Sequence, residues 1–465
     1  QQFSIPEDYF GVNVAPGDGS DSDDYIIESL RDLGIGQVRM DFSYSSPGVQ
    51  SQRLLERLLS QDFGVVLDIF PPISEAEILV EDADAQHRWG EFLSAVFRQY
   101  GGAVQWFEIG NTPNRGRWSG FSSRGFLVAW SIARQQAQGL ELQLAGPNVS
   151  DFEPLYNASF LALMSRLQGP PQVHTDNLFV ERVVEPEAYD HRVMGRLLSG
   201  RLRLNLIKKA KILQRIGRES GSNELVCTYT CWTLKRLSRR SAWPRQKQVD
   251  YLVRYQVLGA SSGALRRVYW GPLICHRDGL IDDGATSYPT IDQVSFYEKI
   301  RGNGRDFTVT PAFAALSQTC RRLAGASGHG CLHQPDGLSL FRFKTSNGST
   351  LLVGWCRDGM SWPLAEVLPE TILDTAQFHS ARGEPLARPA VISEHPLFID
   401  IPGECPSPAS LDPATDADIV HLSSDEWQST GYANDQWRGA CMLRNGEQLA
   451  GLAGAAVLLP EAIQA

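Results

Sequence analysis

The sequence predicts a (β/α)8 TIM barrel followed by a small antiparallel β-sandwich. Between residues 8 and 325, short runs rich in β-branched residues alternate with amphipathic stretches, and eight such units fit the span of this barrel. After residue 326 the pattern changes to alternating strands punctuated by an Asn-Gly turn, which is typical of antiparallel sheets. We therefore expect a barrel at 8–325, a β-sandwich at 326–402 and a C-terminal extension of unassigned fold at 403–465.

The eight predicted barrel strands are short, rich in apolar residues and followed by polar turns. They are Tyr9–Val14, Gly36–Phe42, Gly64–Phe70, Val104–Asn111, Leu142–Pro147, Asn177–Val184, Glu224–Cys231 and Arg267–Gly271. The stretches between them repeat apolar residues at three- and four-residue spacing, which predicts helices. These helices include Asp23–Leu33, Gln86–Tyr100, Arg124–Ala137, Arg203–Ile216 and Val249–Leu258, and a last one begins at Pro311.

Strands of the second domain are predicted at Leu338–Phe343, Leu351–Trp355 and Pro396–Ile401, with a turn at Ser346–Gly348. The remainder begins with a linker rich in Pro, Ser and Asp and runs through Trp427 and Trp437 to an apolar end. No fold is assigned to that remainder.

Composition excludes several classes of function. With 43 Lys plus Arg against 53 Asp plus Glu, the formal charge is −10, which disfavours nucleic-acid binding. No apolar run reaches the roughly 20 residues of a membrane span. The chain begins without methionine, which suggests a removed leader or expression segment and leaves the compartment open. The eight cysteines are scattered in apolar contexts, so we interpret them as structural and slightly favour a reducing bacterial cytoplasm over the periplasm.

Two predicted strands carry unusual motifs at their ends. The fourth reads Trp106-Phe107-Glu108-Ile109-Gly110-Asn111-Thr112-Pro113-Asn114, and the seventh reads Val226-Cys227-Thr228-Tyr229-Thr230-Cys231-Trp232. They resemble the W-N-E-P-N and I-T-E-T-G-W strands of clan A glycoside hydrolases of the family 39 type. The last helix, from Pro311, resembles the P-A-Y-A-A-L opening of the last barrel helix in the same enzymes, so the resemblance extends over most of residues 8–402.

Both catalytic glutamates of the resembled family are replaced. The resemblance puts Thr112 at the acid/base position and Tyr229 at the nucleophile position. It also implies that Arg39 orients the nucleophile, that Asn111 contacts a sugar hydroxyl and that Trp270 lies under the bound sugar. The predicted sixth strand lacks the family's His and Tyr pair, so no sugar contact is carried over there.

These replacements remove the ordinary chemistry. Retaining hydrolysis needs two carboxyl groups roughly 5 Å apart, one as proton donor and one as nucleophile. A threonine hydroxyl does not titrate in the working range. A tyrosine nucleophile is known in sialidases, but a phenol of pKa about 10 needs a base beside it. We therefore expect the ordinary reaction to be lost.

Three other carboxyl groups are candidates for relocated catalysis. Glu185 and Glu187 follow the predicted sixth strand, and Asp278 follows the eighth; the competing interpretation for each is a solvated loop residue. Glu108 shares strand parity with Thr112 and should point into the barrel, where we expect an ion pair with Arg39.

Aromatic and basic residues near the predicted strand ends suggest a ligand surface. Trp118, Trp232, Trp243 and Trp270 could stack on sugar rings, although each alone is as consistent with core packing. The segment Lys235–Lys247, called the basic segment below, has six basic residues in thirteen, including Arg239 and Arg240. Arginine can grip carboxylate or phosphate in pairs of hydrogen bonds, while a solvated basic face is the alternative.

The sequence thus supports three hypotheses. The first is a catalytically degenerate glycoside-hydrolase-like protein that binds a carbohydrate, anionic and bacterial, such as a uronic-acid polymer or a lipopolysaccharide core. The second is an active glycosidase that uses Tyr229 or a relocated carboxyl group. The third is a structural scaffold or assembly protein. No phosphate loop, nucleophile elbow or metal-spaced His/Cys cluster is found, so no cofactor or metal is predicted.

Overall fold

In the computed structural model the chain forms an eight-stranded (β/α)8 barrel followed by a β-sandwich domain, as predicted. The structure describes residues 3–45, 48–178, 185–188, 204–287, 297–302, 304–332 and 337–403. It also describes the backbone of two short strand pairs, Thr290–Ile291 with Val294–Ser295 and Cys441–Met442 with Gln448–Leu449.

The barrel closes because its first and eighth strands pair in parallel. Its strands in order are Phe10–Val14, Gln37–Phe42, Gly64–Ile69, Trp106–Ile109, Leu144–Val149, Val173–Asp176, Glu224–Thr230 and Arg267–Pro272. The main helices that follow them are Ser20–Leu33, Gly48–Ser60, Ala83–Tyr100, Ser123–Gln136, Pro154–Leu167, Leu206–Glu219, Pro244–Ser261 and Pro311–Leu323. Short helices at Ile73–Ile78, Gly116–Ser119 and Leu234–Leu237 lie in the connections.

The prediction for the sixth strand was wrong. The barrel strand is Val173–Asp176, and the predicted range begins only after it; residues 179–184 lie outside the described residues. The observed strand was missed because His174, Thr175 and Asp176 are polar, although all three are fully buried. The apolar signal that suggested a strand came from the residues that follow.

The second domain is built on a seven-stranded sheet. Its strands in spatial order are Phe3–Ser4, Ser327–Cys331, Leu338–Lys344, Thr350–Cys356, Leu397–Ile401, Gln377–His379 and Pro385–Leu386. A two-stranded sheet, Trp362–Pro363 with Val391–Ile392, and the short helices Leu364–Val367 and Glu370–Leu373 complete the domain. The first strand comes from the N-terminus, so the chain passes through this sheet before it enters the barrel.

The large sheet is buried on both faces, because successive side chains of a strand point to opposite faces and its central strands carry consecutive buried apolar residues. Phe341, Val353 and Phe398 belong to the same hydrophobic core as the barrel helices. Their neighbours Leu340, Leu352 and Ile399 form a separate core with the short helices and the two-stranded sheet. One continuous apolar layer therefore joins the second domain to the barrel.

Candidate functional site at the barrel mouth

The carboxyl ends of the eight parallel strands meet at one face, the barrel mouth, where enzymes of this fold carry their active sites. Thr112 follows the fourth strand and Tyr229 is the penultimate residue of the seventh. Both residues are partly exposed. The structure thus brings the two predicted positions to the same face of the barrel.

The turn after the fourth strand is tightly fixed. Gly110 has a φ of 77°, and a Cβ there would approach a ring carbon of Phe126 to 2.8 Å. Thr112 itself has a φ of 43°, an uncommon left-handed conformation for a β-branched residue. The Asn114 side chain donates to Ser150 O and accepts from Ser150 N, each at 2.9 Å. The position that resembles the proton donor's is therefore rigid, but its hydroxyl cannot titrate.

Tyr229 lies beside a cluster from the loop after the eighth strand. Asp278 Oδ2 accepts hydrogen bonds from Arg277 Nε at 2.9 Å and from Cys231 Sγ at 3.4 Å. Burial raises the pKa of Tyr229 well above 10, and the neighbouring Cys231 and Asp278 raise it further. A nucleophilic tyrosine would need its pKa lowered, so this environment acts against phenolate formation.

Arg39 lies inside the barrel at the centre of a carboxylate network. Its Nε donates to Glu108 Oε2 at 2.7 Å, and its Nη2 donates to Asp68 Oδ2 at 2.5 Å. Its Nη1 donates to Asn13 Oδ1 at 3.2 Å and contacts Asp41 Oδ1 at 3.3 Å. The predicted ion pair between Arg39 and Glu108 is confirmed. With its side chain 4% exposed and each of its three nitrogens bound within the protein, Arg39 is not placed to contact a sugar at the mouth.

The network holds more carboxyl groups than one arginine can neutralise. Burial raises the pKa of Asp68 well above its usual range although Arg39 opposes this, and the nearby Glu108 and Asp41 add to the rise. Burial likewise raises the pKa of Glu108. Within the described residues, Asp68 Oδ1 and Glu108 Oε1 have no hydrogen-bond partner. These two acids are fully buried, so neither can reach a ligand at the mouth.

The three predicted substitute carboxyl groups are all committed elsewhere. Glu185 Oε1 accepts from the backbone N–H of Asp358 at 2.8 Å, and Glu187 Oε1 accepts from Arg254 at 2.9 Å. Asp358 belongs to the second domain and Arg254 to the helix Pro244–Ser261, so both contacts fix the loop that contains Glu185 and Glu187. Asp278 is fully buried and is bound by Arg277. The sequence could not reveal that the second domain reaches this loop.

Sequence reasoning missed a different pair of carboxyl groups. Asp41, near the end of the second strand, has a side chain 43% exposed. Glu298 is exposed and makes no hydrogen bond or ion pair with the described residues. Burial raises the pKa of Glu298, and Asp41 raises it further. The two carboxyl groups are therefore close enough to interact electrostatically. Asp41 lies two residues after Arg39 in the same strand, so its side chain could have been predicted to share the inner face with Arg39. Glu298 lies in no strand or helix pattern that could have indicated its position.

The four predicted tryptophans divide into two pairs. Trp232 and Trp270 are 1% and 0% exposed and stack on each other with ring centroids 6.0 Å apart. Neither ring offers a face to solvent, so the expected sugar platform is not formed by these two, which pack in the core instead. Trp118 and Trp243 are 47% and 77% exposed and lie in the connections after the fourth and seventh strands. A ring that exposed can stack on a ligand.

The basic segment is exposed at the rim. Arg239 and Arg240 are exposed and form no ion pair with the part of the chain that the structure describes. Arg245 is bound to Asp282 at 2.7 Å, and the backbone N–H of Leu234 donates to Arg277 O at 3.1 Å. Two guanidinium groups without an ion pair to the described residues thus project from a segment that is anchored on both sides. Asn111, partly exposed, is also at the mouth.

Two other kinds of feature are absent from the described residues. Within them, no group of three or more His, Cys, Asp or Glu is arranged to hold a metal ion. Among the described helices, none combines the length and the apolarity of a membrane span.

Comparison with known proteins identifies the class of fold. No family model matches the chain, and no curated protein matches it. Among solved structures, a family 39 glycoside hydrolase from Bacteroides cellulosilyticus WH2 is similar with a TM-score of 0.60 at 14% identity, covering 85% of this chain and 81% of that one. A glucosidase from Croceicoccus marinus gives a TM-score of 0.56 at 13% identity, covering 86% and 96%.

The catalytic domain of the GH30 xylanase C from Talaromyces cellulolyticus is similar with a TM-score of 0.51 at 10% identity, covering 86% of this chain and 98% of that one. The structural neighbours are therefore clan A glycoside hydrolases at low sequence identity. At such identities the likeness establishes a glycoside-hydrolase-like fold alone.

Proposed function

We propose that this protein is a catalytically degenerate glycoside-hydrolase-like protein that binds an anionic bacterial carbohydrate at the barrel mouth without cleaving it. One observation carries the loss of cleavage. The two positions that resemble the catalytic pair hold a hydroxyl that does not titrate and a phenol whose pKa is raised, Thr112 and Tyr229. Neither supplies the proton donor or the nucleophile that glycoside hydrolysis requires.

The charge at the rim supports an anionic ligand. Arg239 and Arg240 are exposed without ion-pair partners among the described residues, on a chain whose formal charge is −10. Guanidinium groups bind carboxylate and phosphate with paired, directional hydrogen bonds. Trp118 and Trp243, both at least 47% exposed, supply ring faces suited to sugar stacking. A uronic-acid polymer or a phosphorylated lipopolysaccharide core has both the anionic groups that arginines bind and the sugar rings that tryptophans stack on.

A glycan array tests this proposal. The labelled protein is expected to bind carboxylated or phosphorylated bacterial glycans and to lose the signal as ionic strength rises, because exposed charge pairs are screened by salt. Binding to neutral glycans alone would contradict the anionic ligand, and binding to no glycan would contradict a carbohydrate function.

A second candidate is an active hydrolase with relocated catalysis. The observation that favours it is the pair Asp41 and Glu298, whose pKa values are both raised, as those of general acids often are. In this case Asp41→Asn or Glu298→Gln would abolish turnover of a bound glycan. Under the first proposal there is no turnover for these substitutions to abolish.

A further inference from the structure

The second domain contacts the barrel beside the basic segment. The helix Pro244–Ser261 begins inside that segment and is buried from Gln248 onward. Two parts of the second domain lie against it, around Asp358 and around Glu394. The basic segment is therefore attached to a helix whose first turn is held by another domain.

Asp358 is the residue on which these contacts converge. Its Oδ2 accepts from Tyr251 Oη at 2.5 Å, and its Oδ1 lies 3.1 Å from both Arg254 Nη2 and Lys247 Nζ. Its backbone N–H donates to Glu185 Oε1 at 2.8 Å. These five residues, called the Asp358 cluster below, connect the second domain to the loop after the sixth strand and to the helix after the seventh.

Three further contacts strengthen the Asp358 cluster. Lys247 Nζ lies 3.1 Å from Glu394 Oε1, and Lys247 is the last basic residue of the basic segment. Arg254, fully buried, also donates to the Cys356 carbonyl oxygen at 3.1 Å and to that of Glu394. The contact of Lys247 is an ion pair, whereas those of Arg254 are charge-assisted hydrogen bonds, which are stronger than neutral ones and fix direction as well as distance.

We propose that the second domain, through Asp358, positions the basic segment for binding an anionic carbohydrate, which makes Asp358 a positioning residue for the ligand site. This inference rests on the proposed function for the identity of the ligand. The physical reason is preorganisation: a loop held in place before binding does not lose its conformational freedom when the ligand arrives. Arg239 and Arg240, which would contact the ligand, lie between the anchors at Leu234 and at Arg245 and Lys247.

Trypsin provides a direct measure of this anchoring, because it cleaves after Lys and Arg and the basic segment contains six such sites. The variants are Asp358→Asn and the milder Glu394→Gln, which removes the negative charge that faces Lys247 and keeps an amide oxygen that can accept from the Gly359 N–H. The matched control is Glu366→Gln, an exposed acid of the same domain with no partner among the described residues. Mass spectrometry follows cleavage within 235–247 in the folded protein.

Cleavage within the basic segment is expected to accelerate about tenfold in Asp358→Asn, since the substitution weakens several hydrogen bonds to charged groups, and less in Glu394→Gln. Affinity for oligogalacturonate, with neutral maltohexaose as the uncharged comparison, is expected to fall in the same order. The Glu366→Gln control is expected to match the wild type in both assays. If Asp358→Asn does not fold, Glu394→Gln decides the question.

The outcomes separate this inference from the proposed function. Unchanged cleavage in both variants overturns the anchoring, whatever the ligand. Faster cleavage with unchanged affinity overturns the positioning role. If the wild-type protein binds neither oligogalacturonate nor any other anionic glycan, the proposed ligand is wrong. The trypsin assay still decides whether Asp358 anchors the basic segment.

Discussion

The inner layer of the barrel and its rim contain opposite arrangements of charge. Inside, Arg39 is surrounded by Asp68, Glu108 and Asp41, and each of its three nitrogens is bound to one of them. At the rim, Arg239 and Arg240 are exposed and have no ion-pair partner among the described residues. The same residue type is therefore structural in one layer and available to a ligand in the other.

Under the proposed function, this difference is the reason why a hydrolase-like barrel loses catalysis and keeps a binding surface. In the resembled family the second-strand arginine orients a nucleophile. Here Arg39 forms ion pairs with two fully buried acids, Asp68 and Glu108. Replacing the inner residues should change stability, whereas replacing the rim residues should change binding.

Removing the inner arginine should give the largest effect. Arg39→Met leaves buried carboxyl groups without their cation and is expected to lower the free energy of unfolding by about 3–5 kcal/mol at neutral pH. Urea unfolding measures the loss, with Arg98→Met as the matched control, since Arg98 is exposed and has no partner among the described residues. A loss no larger than that of the control would show that the network does not stabilise the barrel.

Acid should destabilise the protein through His174. Burial lowers the pKa of this histidine from 6.5 to about 4, and a hydrogen bond from one ring nitrogen to Leu213 O opposes the fall only in part. Because the folded state holds the neutral form, this stabilisation is complete above pH 6.5 and is lost as the pH falls through 6.5 toward 4. The full shift corresponds to about 3 kcal/mol.

Unfolding measured from pH 7 to pH 4 tests this dependence. His174→Gln should be less stable at pH 7 but should show a shallower fall in stability across that range. The control His87→Gln, at a position 74% exposed, should keep the wild-type slope. Equal slopes for all three proteins would rule out His174 as the titrating group.

The rim substitution should have the smallest effect on stability. Arg239→Ala with Arg240→Ala should change the free energy of unfolding by no more than about 0.5 kcal/mol. Affinity for an anionic oligosaccharide should fall about tenfold and become less sensitive to salt. Isothermal titration at two ionic strengths measures both, with Arg98→Ala plus Arg321→Ala as the control; these two arginines are exposed and have no partner among the described residues. Unchanged affinity would place the ligand elsewhere or remove the charge requirement.

Most of the fold follows from the sequence because its strands are apolar and its helices amphipathic. The second strand, for example, was predicted from Gly36 and begins at Gln37. The sixth strand was missed because a buried strand can be polar where its groups are paired, as His174 and Asp176 both are with Asn157. Local pattern does not reveal such long-range pairing.

The site was less predictable, since exposure depends on the tertiary structure. Trp270 and Trp243 both come near strand ends in the sequence, yet one is 0% and the other 77% exposed. Glu187 follows the end of a predicted strand, as a catalytic acid of this fold does, but Arg254 and Trp355 bind it. The pairing of Arg39 with Glu108 could be predicted because strand parity places both inside the barrel.

Product analysis of a glycan that the wild-type protein binds tests the central claim most directly. The ligand is incubated with excess protein across the pH range 4–8, and its chain length is then measured by mass spectrometry. We predict that the glycan is recovered intact at every pH. Shortened products, absent when Asp41→Asn or Glu298→Gln replaces the wild type, would contradict the account and assign the protein to the active hydrolases.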